Sequence, residues 1–173
     1  MDIHRRKFIQ QAGLGVAAVA GVAMFGKTLS GLFVRSALAA PATTYEVTHT
    51  SAEWHKILTQ AQYDVLRDQG TEAPYSSPLN NEHRAGTFFC AGCRLPAFSS
   101  TTKFDSGTGW PSFYAPLDNA VATTTDFKLI VPRTEVHCRR CGGHLGHVFD
   151  DGPKPTGKRY CMNGIAMQFI PTA

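Results

Sequence analysis

Beyond residue 40 the sequence has no net charge. Of its 173 residues, 17 are Lys or Arg and 13 are Asp or Glu. Five basic residues and one acidic residue precede residue 40, so 12 of each sign remain. Binding to nucleic acid or to an acidic surface draws on an excess of basic side chains. We therefore predict no nucleic-acid partner.

The sequence also lacks repeats of solenoid length, low-complexity tracts and a long apolar run. Its most apolar stretch, Ala12 to Phe25, would rise about 21 Å as a helix, whereas the hydrocarbon core of a bilayer is about 30 Å thick. Lys27 interrupts its continuation. The length of the chain suits one domain with a substantial core.

Residues 1–39 are predicted to be a twin-arginine signal peptide. Arg5-Arg6-Lys7-Phe8-Ile9 has the twin-arginine pattern, the apolar stretch follows, and Ala37-Leu38-Ala39 fits a small-residue cleavage site. Cleavage after Ala39 would leave residues 40–173 as the mature domain, and an uncleaved anchor is the alternative. This route predicts a protein that folds in the cytoplasm, works in the periplasm or elsewhere outside it, and meets the membrane only through the signal.

Two short helices are predicted at the start of the mature domain. Thr50 and Glu53 have the spacing of a capping box, and apolar residues follow at helical period. A second helix is predicted over residues 60–69, with Gly70 as its C-terminal cap. Residues 71–86 are predicted to form an irregular loop.

From residue 86 onward the pattern predicts short strands, and hence a mainly β (α+β) fold of antiparallel sheets. The predicted strands are Thr87–Phe89, Ala97–Ser99, Val121–Thr124, Leu129–Val131, Glu135–His137, Leu145–Phe149 and Ala166–Ile170.

Four of the five cysteines form two C-x-x-C pairs, Cys90 with Cys93 and Cys138 with Cys141. Small residues flank both pairs, which is typical of turns whose thiolates close on one tetrahedral zinc ion. Such a site would be structural, since four protein ligands leave no open position. Two disulfides, which an exported protein permits, and a redox dithiol are the alternatives.

Cys161 has no cysteine partner at short spacing. In a strand, Arg159, Cys161 and Asn163 would share one face, and a guanidinium favours the thiolate, which is the nucleophilic form. The alternative is an ordinary buried cysteine. His144 and His147 suit proton transfer or orientation, with zinc ligation and core hydrogen bonding as alternatives. Trp110, between Gly109 and Pro111, suits a pocket wall or the core.

Three long segments resemble the B-type methionine sulfoxide reductases, which reduce methionine-R-sulfoxide. They are Lys103–Phe113 (KFDSGTGWPSF), Gly143–Phe149 (GHLGHVF) and Gly157–Gly164 (GKRYCMNG). The resemblance covers about residues 50–171 and includes both C-x-x-C pairs. It implies a two-sheet β-tent, or Mss4-like, fold with one structural zinc ion.

The resemblance also implies the roles of the site residues. Cys161 would be the nucleophile and Arg159 would help form its thiolate. His144, His147 and Asn163 would surround the sulfoxide oxygen. Trp110 and Phe149 would bind the substrate. Thr108 stands where many members have a resolving cysteine, so the Cys161 sulfenic acid would be reset by an external donor such as thioredoxin.

A zinc-stabilised binding module without catalysis is the alternative function. It accounts for the C-x-x-C pairs but gives no reason for the Arg-Tyr-Cys-Met-Asn segment around Cys161. The substrate predicted by the resemblance is oxidised methionine, bound in peptides or free.

Overall fold

The computed structural model describes residues 44–173, which form two short helices followed by two antiparallel sheets. The predicted signal peptide, its cleavage site and residues 40–43 lie outside this range. Within the described range no helix has the length and hydropathy needed to cross a membrane.

Both helices begin at capping boxes. Helix α1 (Ser51–Ile57) is capped by Thr50 with Glu53, as predicted, and α2 (Gln60–Leu66) is capped in the same way by Thr59 with Gln62. The prediction that α2 continues to residue 69 was wrong, since the helix ends at Leu66. The predicted cap also differs, because Gln69 takes the left-handed conformation (φ 55°) and Gly70 donates its N–H to the carbonyl of Asp64.

The smaller sheet has three strands in the order β2-β1-β9. These are β1 (Gly86–Cys90), β2 (Pro96–Ser99) and β9 (Met167–Pro171). The predicted strands at residues 87–89 and 97–99 are confirmed. Ala166, predicted to begin the last strand, belongs instead to a short 3-10 helix, Gly164–Ala166.

The larger sheet has six strands in the order β3-β4-β8-β7-β6-β5. Its strands are β3 (Lys103–Phe104), β4 (Ser112–Phe113), β5 (Val121–Asp126), β6 (Arg133–Cys138), β7 (His144–Phe149) and β8 (Arg159–Met162). Because β8 lies between β4 and β7, the segment with Cys161 is flanked by the segments with Trp110 and with the two histidines.

The predicted strand at Leu129–Val131 was wrong. These residues lie in the turn that joins β5 to β6, and Leu129, Ile130 and Val131 are all largely exposed. β-branched side chains fit a half-buried strand, but this turn lies at the end of the β5–β6 hairpin, where these three side chains stay largely exposed.

The core lies between the two sheets and the helices. Phe88 and Phe98 of the smaller sheet pack on Phe113 of the larger one, with ring centroids 4.9 Å and 4.5 Å apart. Trp54 of α1 and Leu66 of α2 are buried in the same cluster. This two-sheet core confirms the predicted fold class and fixes the strands around Cys161.

Candidate active site

A pocket opens where β8 lies between the Trp110 turn and β7. Its lining includes the predicted residues Cys161, His147, Asn163, Trp110 and Phe149, together with Thr71, Arg133 and Gly146. Segments that are far apart in the sequence therefore supply one site. The structure brings five of the predicted residues to this pocket and sets two others, Arg159 and His144, just behind its wall.

Strand register determines what faces Cys161. Cys161, on β8, is paired with Ser112 of β4 on one side and with His147 of β7 on the other. Strands β7 and β8 approach closely at Gly146, where a Cβ would overlap the carbonyl oxygen of Cys161. Any larger residue at 146 would push the strands apart, so this glycine helps to hold His147 beside the thiol.

The thiol of Cys161 is half-buried, and its environment acts on its pKa in two directions. Burial raises the pKa above the ordinary value because a thiolate is poorly solvated there. Contacts with Thr108, with the Arg159 guanidinium and with Ser112 lower it, since each favours the thiolate. Burial has the larger effect, so the pKa of Cys161 stays above its ordinary value, and these contacts limit the rise.

The guanidinium of Arg159 is held by two neighbours. It donates two hydrogen bonds to the carboxylate of Asp151, at 2.9 Å and 2.8 Å, and its Cζ lies 4.5 Å from the ring centroid of Phe149. Arg159 thus connects the pocket wall at Phe149 with the charge of Cys161.

His147 is oriented by a carboxylate from the edge strand. Its Nε2 lies 2.8 Å from Oδ2 of Asp126 at the end of β5, and Arg133 at the start of β6 donates to the same oxygen at 2.6 Å. An ionised carboxylate only accepts, so Nε2 carries a proton. Burial lowers the pKa of His147, and the hydrogen bond to Asp126 opposes this.

The pKa of Asp126 is lowered, first by the backbone N–H of Lys128 and then by His147 and Arg133. Asp126 is therefore ionised across the neutral range. It supplies the negative charge that supports a protonated His147.

His144 lies behind His147 rather than in the pocket lining. The side chain of His144 is only 2% exposed, and its Nδ1 lies 2.8 Å from Oε1 of Glu135. Its Nε2 is buried and has no partner among residues 44–173. The ring centroids of His144 and His147 are 5.2 Å apart. His144 is thus in contact with a pocket residue and one step away from Cys161.

Glu72, in the loop after α2, connects Trp110 with Asn163. Its carbonyl oxygen accepts from Nε1 of Trp110 at 3.1 Å, and its backbone N–H donates to Oδ1 of Asn163 at 3.0 Å. Its carboxylate accepts from the backbone N–H groups of Gly164 and Ile165. Glu72 therefore fixes the positions of Trp110 and Asn163 on two sides of the pocket.

The four C-x-x-C cysteines meet where the β1–β2 turn approaches the β6–β7 turn. Their Sγ atoms all lie within 4.8 Å of one another, with Cys90 3.7 Å from Cys141 and Cys93 3.4 Å from Cys138. A disulfide requires about 2.05 Å, so none of these pairs is bonded. Tetrahedral ligands 2.3 Å from zinc are about 3.8 Å apart, and the cluster fits that arrangement. The four cysteines are close enough to bind one metal ion.

Several residues of the site escaped the sequence analysis. They include Asp126, Arg133 and Glu135, which lie in or beside predicted strands. Only the register of the sheet brings Asp126 and Glu135 to the histidines, and Arg133 pairs with Asp126. Glu72 lies in a segment predicted to be irregular. The only feature of the sequence that could have indicated a role for Glu72 is a carboxylate in that loop.

The comparisons with known proteins agree with this arrangement. A family model described as "SelR domain" matches residues 58–171. The chain belongs to the SelR family. It is 52% identical over 127 residues to a protein of Pseudomonas putida (strain W619) named peptide methionine sulfoxide reductase MsrB, which covers 73% of this chain and 96% of that relative.

Other relatives in the SelR family carry the same name. One from Leptospira interrogans is 48% identical over 126 residues, covering 72% of this chain and 96% of its own length. One from Methanosarcina barkeri is 51% identical over 124 residues, covering 71% and 87%. The similarity spans the segments that form the pocket and the cysteine cluster.

Proposed function

We propose that this protein is a peptide-methionine (R)-S-oxide reductase, which reduces methionine-R-sulfoxide in peptides to methionine. The observation that carries the proposal is the pocket in which Cys161 meets His147, Asn163 and Trp110. This pocket supports a catalytic role, as does a sequence identity of 51–52% to relatives named peptide methionine sulfoxide reductase. A binding module without catalysis would need no thiol in such a pocket.

The first step is attack by the Cys161 thiolate on the sulfoxide sulfur. The oxygen takes one proton and moves to the cysteine sulfur, as the sulfur–sulfur bond formed by the attack breaks. Methionine leaves reduced by two electrons, and Cys161 becomes a sulfenic acid, oxidised by two electrons. One thiolate, one sulfoxide and one proton thus give one sulfenic acid and one thioether.

His147 is the proton donor in this proposal. It lines the pocket directly opposite Cys161, and the charge of Asp126 favours its protonated form. Asn163 shares the pocket and supplies an amide N–H for the oxygen, and His144 acts behind His147. The guanidinium of Arg159 supports the thiolate.

The walls of the pocket suit a methyl thioether. Trp110 is half-buried, and its indole face borders the site together with Phe149. Aromatic faces contact sulfur and methyl groups favourably. His147 and Arg133 supply the basic part of the lining, which suits the negative charge of the sulfoxide oxygen. We therefore propose that the substrate binds with its methyl group against Trp110 and its sulfoxide oxygen toward His147.

The sulfenic acid is reset by an external thiol. The other four cysteines form their own cluster, and Thr108 offers a hydroxyl near Cys161. One thiol displaces water from the sulfenic acid to give a mixed disulfide, and a second thiol releases Cys161. A thioredoxin-like dithiol supplies both thiols.

The cysteine cluster binds one structural zinc ion per chain in this proposal. The fit of the four Sγ positions to a tetrahedron supports it, as does the absence of disulfides among residues 44–173. The cysteines of the β1–β2 turn and of the β6–β7 turn would hold the ion together, and its binding would contribute folding free energy.

We further propose that the protein repairs oxidised proteins outside the cytoplasm. The twin-arginine pattern at Arg5 and Arg6 supports export. Replacing both with Lys should retain the precursor in the cytoplasm, as shown by fractionation. Normal export of that double variant would contradict the assigned route.

The test of the proposed activity is Cys161→Ser on separated R and S sulfoxides. The wild-type protein should reduce the R form with a dithiol present, and the variant should be inactive with unchanged thermal unfolding. Substantial turnover by Cys161→Ser, or exclusive use of the S form, would overturn the assignment.

A further inference from the structure

Three hydroxyl groups connect Cys161 to the backbone of Trp110, on the side of Cys161 away from His147. Thr108 Oγ1 lies 3.9 Å from the Cys161 Sγ, and 2.8 Å from Ser106 Oγ. Ser106 Oγ lies 2.7 Å from Ser112 Oγ, which donates to the carbonyl oxygen of Trp110 at 3.1 Å. We call Thr108, Ser106 and Ser112 the hydroxyl chain.

Counting protons shows what this chain does when Cys161 is a thiol. Each hydroxyl has one proton to donate, and the thiol has a fourth. Four protons then serve four contacts in one direction, from Cys161 to Thr108, on to Ser106 and Ser112, and finally to the Trp110 carbonyl. Every contact is satisfied, but none of the hydroxyl protons points at the sulfur.

When Cys161 is a thiolate, only three protons remain. The arrangement that satisfies the sulfur through Thr108 and keeps both hydroxyl–hydroxyl contacts runs in the opposite direction. Ser112 then donates to Ser106, Ser106 to Thr108, and Thr108 to the sulfur. The Trp110 carbonyl loses the proton of Ser112. The charge of the sulfur thus determines the direction of the whole chain.

We propose that the hydroxyl chain stabilises the Cys161 thiolate through Thr108 and transmits the charge of the sulfur to the Trp110 backbone by reversing direction. This inference rests on the proposed role of Cys161 as the nucleophile. It gives Thr108 a function of its own, as a hydroxyl donor to the reacting sulfur. A sulfenic acid at Cys161 again has a proton to donate, so oxidation returns the chain to its first direction.

Charged groups face Cys161 from the other elements that surround it. Arg159 lies on β8 with Asp151 beside it, His147 and Asp126 approach from β7 and β5, and Arg133 lines the same pocket. On the turn before β4 the charged group is Asp105, whose carboxylate accepts from the Gly107 N–H. The hydroxyl chain is therefore the uncharged half of the thiolate's surroundings.

The test is the pH dependence of alkylation at Cys161, followed by mass spectrometry of the peptide that contains it. Thr108→Val keeps the side-chain shape and removes the hydroxyl. We expect it to raise the pKa of Cys161 and to slow alkylation about tenfold below that pKa, as expected for one lost hydrogen bond to a charged group. Thr108→Ser should restore the wild-type titration, and Thr108→Ala tests the same hydroxyl if the valine variant does not fold.

Ser106→Ala is the matched control. It breaks the hydroxyl chain but leaves Thr108 with a proton and no other acceptor in the chain, so the pKa of Cys161 should not rise. A wild-type titration in Thr108→Val would overturn the proposal. So would an equal rise in Ser106→Ala, since packing would then explain both. Alkylation needs no sulfoxide, so this result is independent of whether Cys161→Ser loses reductase activity.

Discussion

The molecule contains two kinds of cysteine environment, and they differ in what surrounds the sulfur. The four C-x-x-C sulfurs contact one another behind two tight turns, and three of these residues are buried. Cys161 contacts a hydroxyl, lies beside a guanidinium and an imidazole, and opens into a pocket. The gathered sulfurs are close enough to bind one metal ion, whereas the sulfur surrounded by donors and cations is the one that we propose as the nucleophile.

The largest difference between the two cysteine environments should appear when one cysteine of the cluster is replaced. Cys138→Ser should lose zinc and much of the folding free energy, because three ligands hold the metal less well and domains are stable by only about 5–15 kcal/mol. Metal analysis and urea unfolding measure both effects.

Cys161→Ser is the matched control for Cys138→Ser. It should keep one zinc ion per chain and the wild-type midpoint of urea unfolding. If Cys138→Ser unfolded at the wild-type midpoint, and wild-type protein held two disulfides without zinc, the structural role of the cluster would be refuted.

The second prediction concerns the carboxylate behind His147. Asp126→Asn removes the charge that opposes the effect of burial, so the pKa of His147 should fall further below its ordinary value. A general acid must be protonated, and activity is lost as pH rises through its pKa. The alkaline limb of the pH–rate profile should therefore shift to lower pH, with about a tenfold loss of activity on that side.

Asp118→Asn, which changes an exposed carboxylate, should leave this profile unchanged. An unchanged alkaline limb in Asp126→Asn would show that His147 is not the acid.

The smallest effect is expected at Glu72. Glu72→Ala leaves two backbone N–H groups, of Gly164 and Ile165, without their acceptor, which should cost about 1–3 kcal/mol of stability. The backbone groups of Glu72 that hold Trp110 and Asn163 remain. Only the backbone next to Asn163 loses its support, so kcat/KM should fall by a smaller factor than in Asp126→Asn. Urea unfolding and steady-state kinetics on an R-sulfoxide peptide measure the two effects.

Glu82→Ala is the matched control, because its carboxylate accepts from the backbone N–H and the guanidinium of Arg84 and does not line the pocket. It should leave kcat/KM unchanged. Equal behaviour of Glu72→Ala and Glu82→Ala would show that the hydrogen bonds of Glu72 do not support the pocket.

Local rules made much of the fold predictable from the sequence. Thr50 with Glu53 marked the start of α1, and β-branched and aromatic runs marked most strands. The same rule failed at Leu129–Val131, because composition fits either a strand or an exposed turn and only the surrounding structure decides. It also missed the two-residue strands β3 and β4, which are too short to show a period.

Some residues of the candidate site could likewise be predicted from the sequence, and others could not. The paired spacing of the cysteines and the motif around Cys161 were visible in the sequence. The partners of His147 and His144 were not, because Asp126 and Glu135 reach the histidines only through the register of β5, β6 and β7. Glu72 acts mainly through backbone groups, which no side-chain pattern records.

The most direct test of the division between the two cysteine environments is a single turnover without reductant. With excess R-sulfoxide, about one methionine should form per chain, a dimedone-type probe should add to Cys161, and zinc should stay bound. A disulfide between Cys161 and any of the four C-x-x-C cysteines, with release of zinc, would contradict the account, since the cluster would then resolve the sulfenic acid itself.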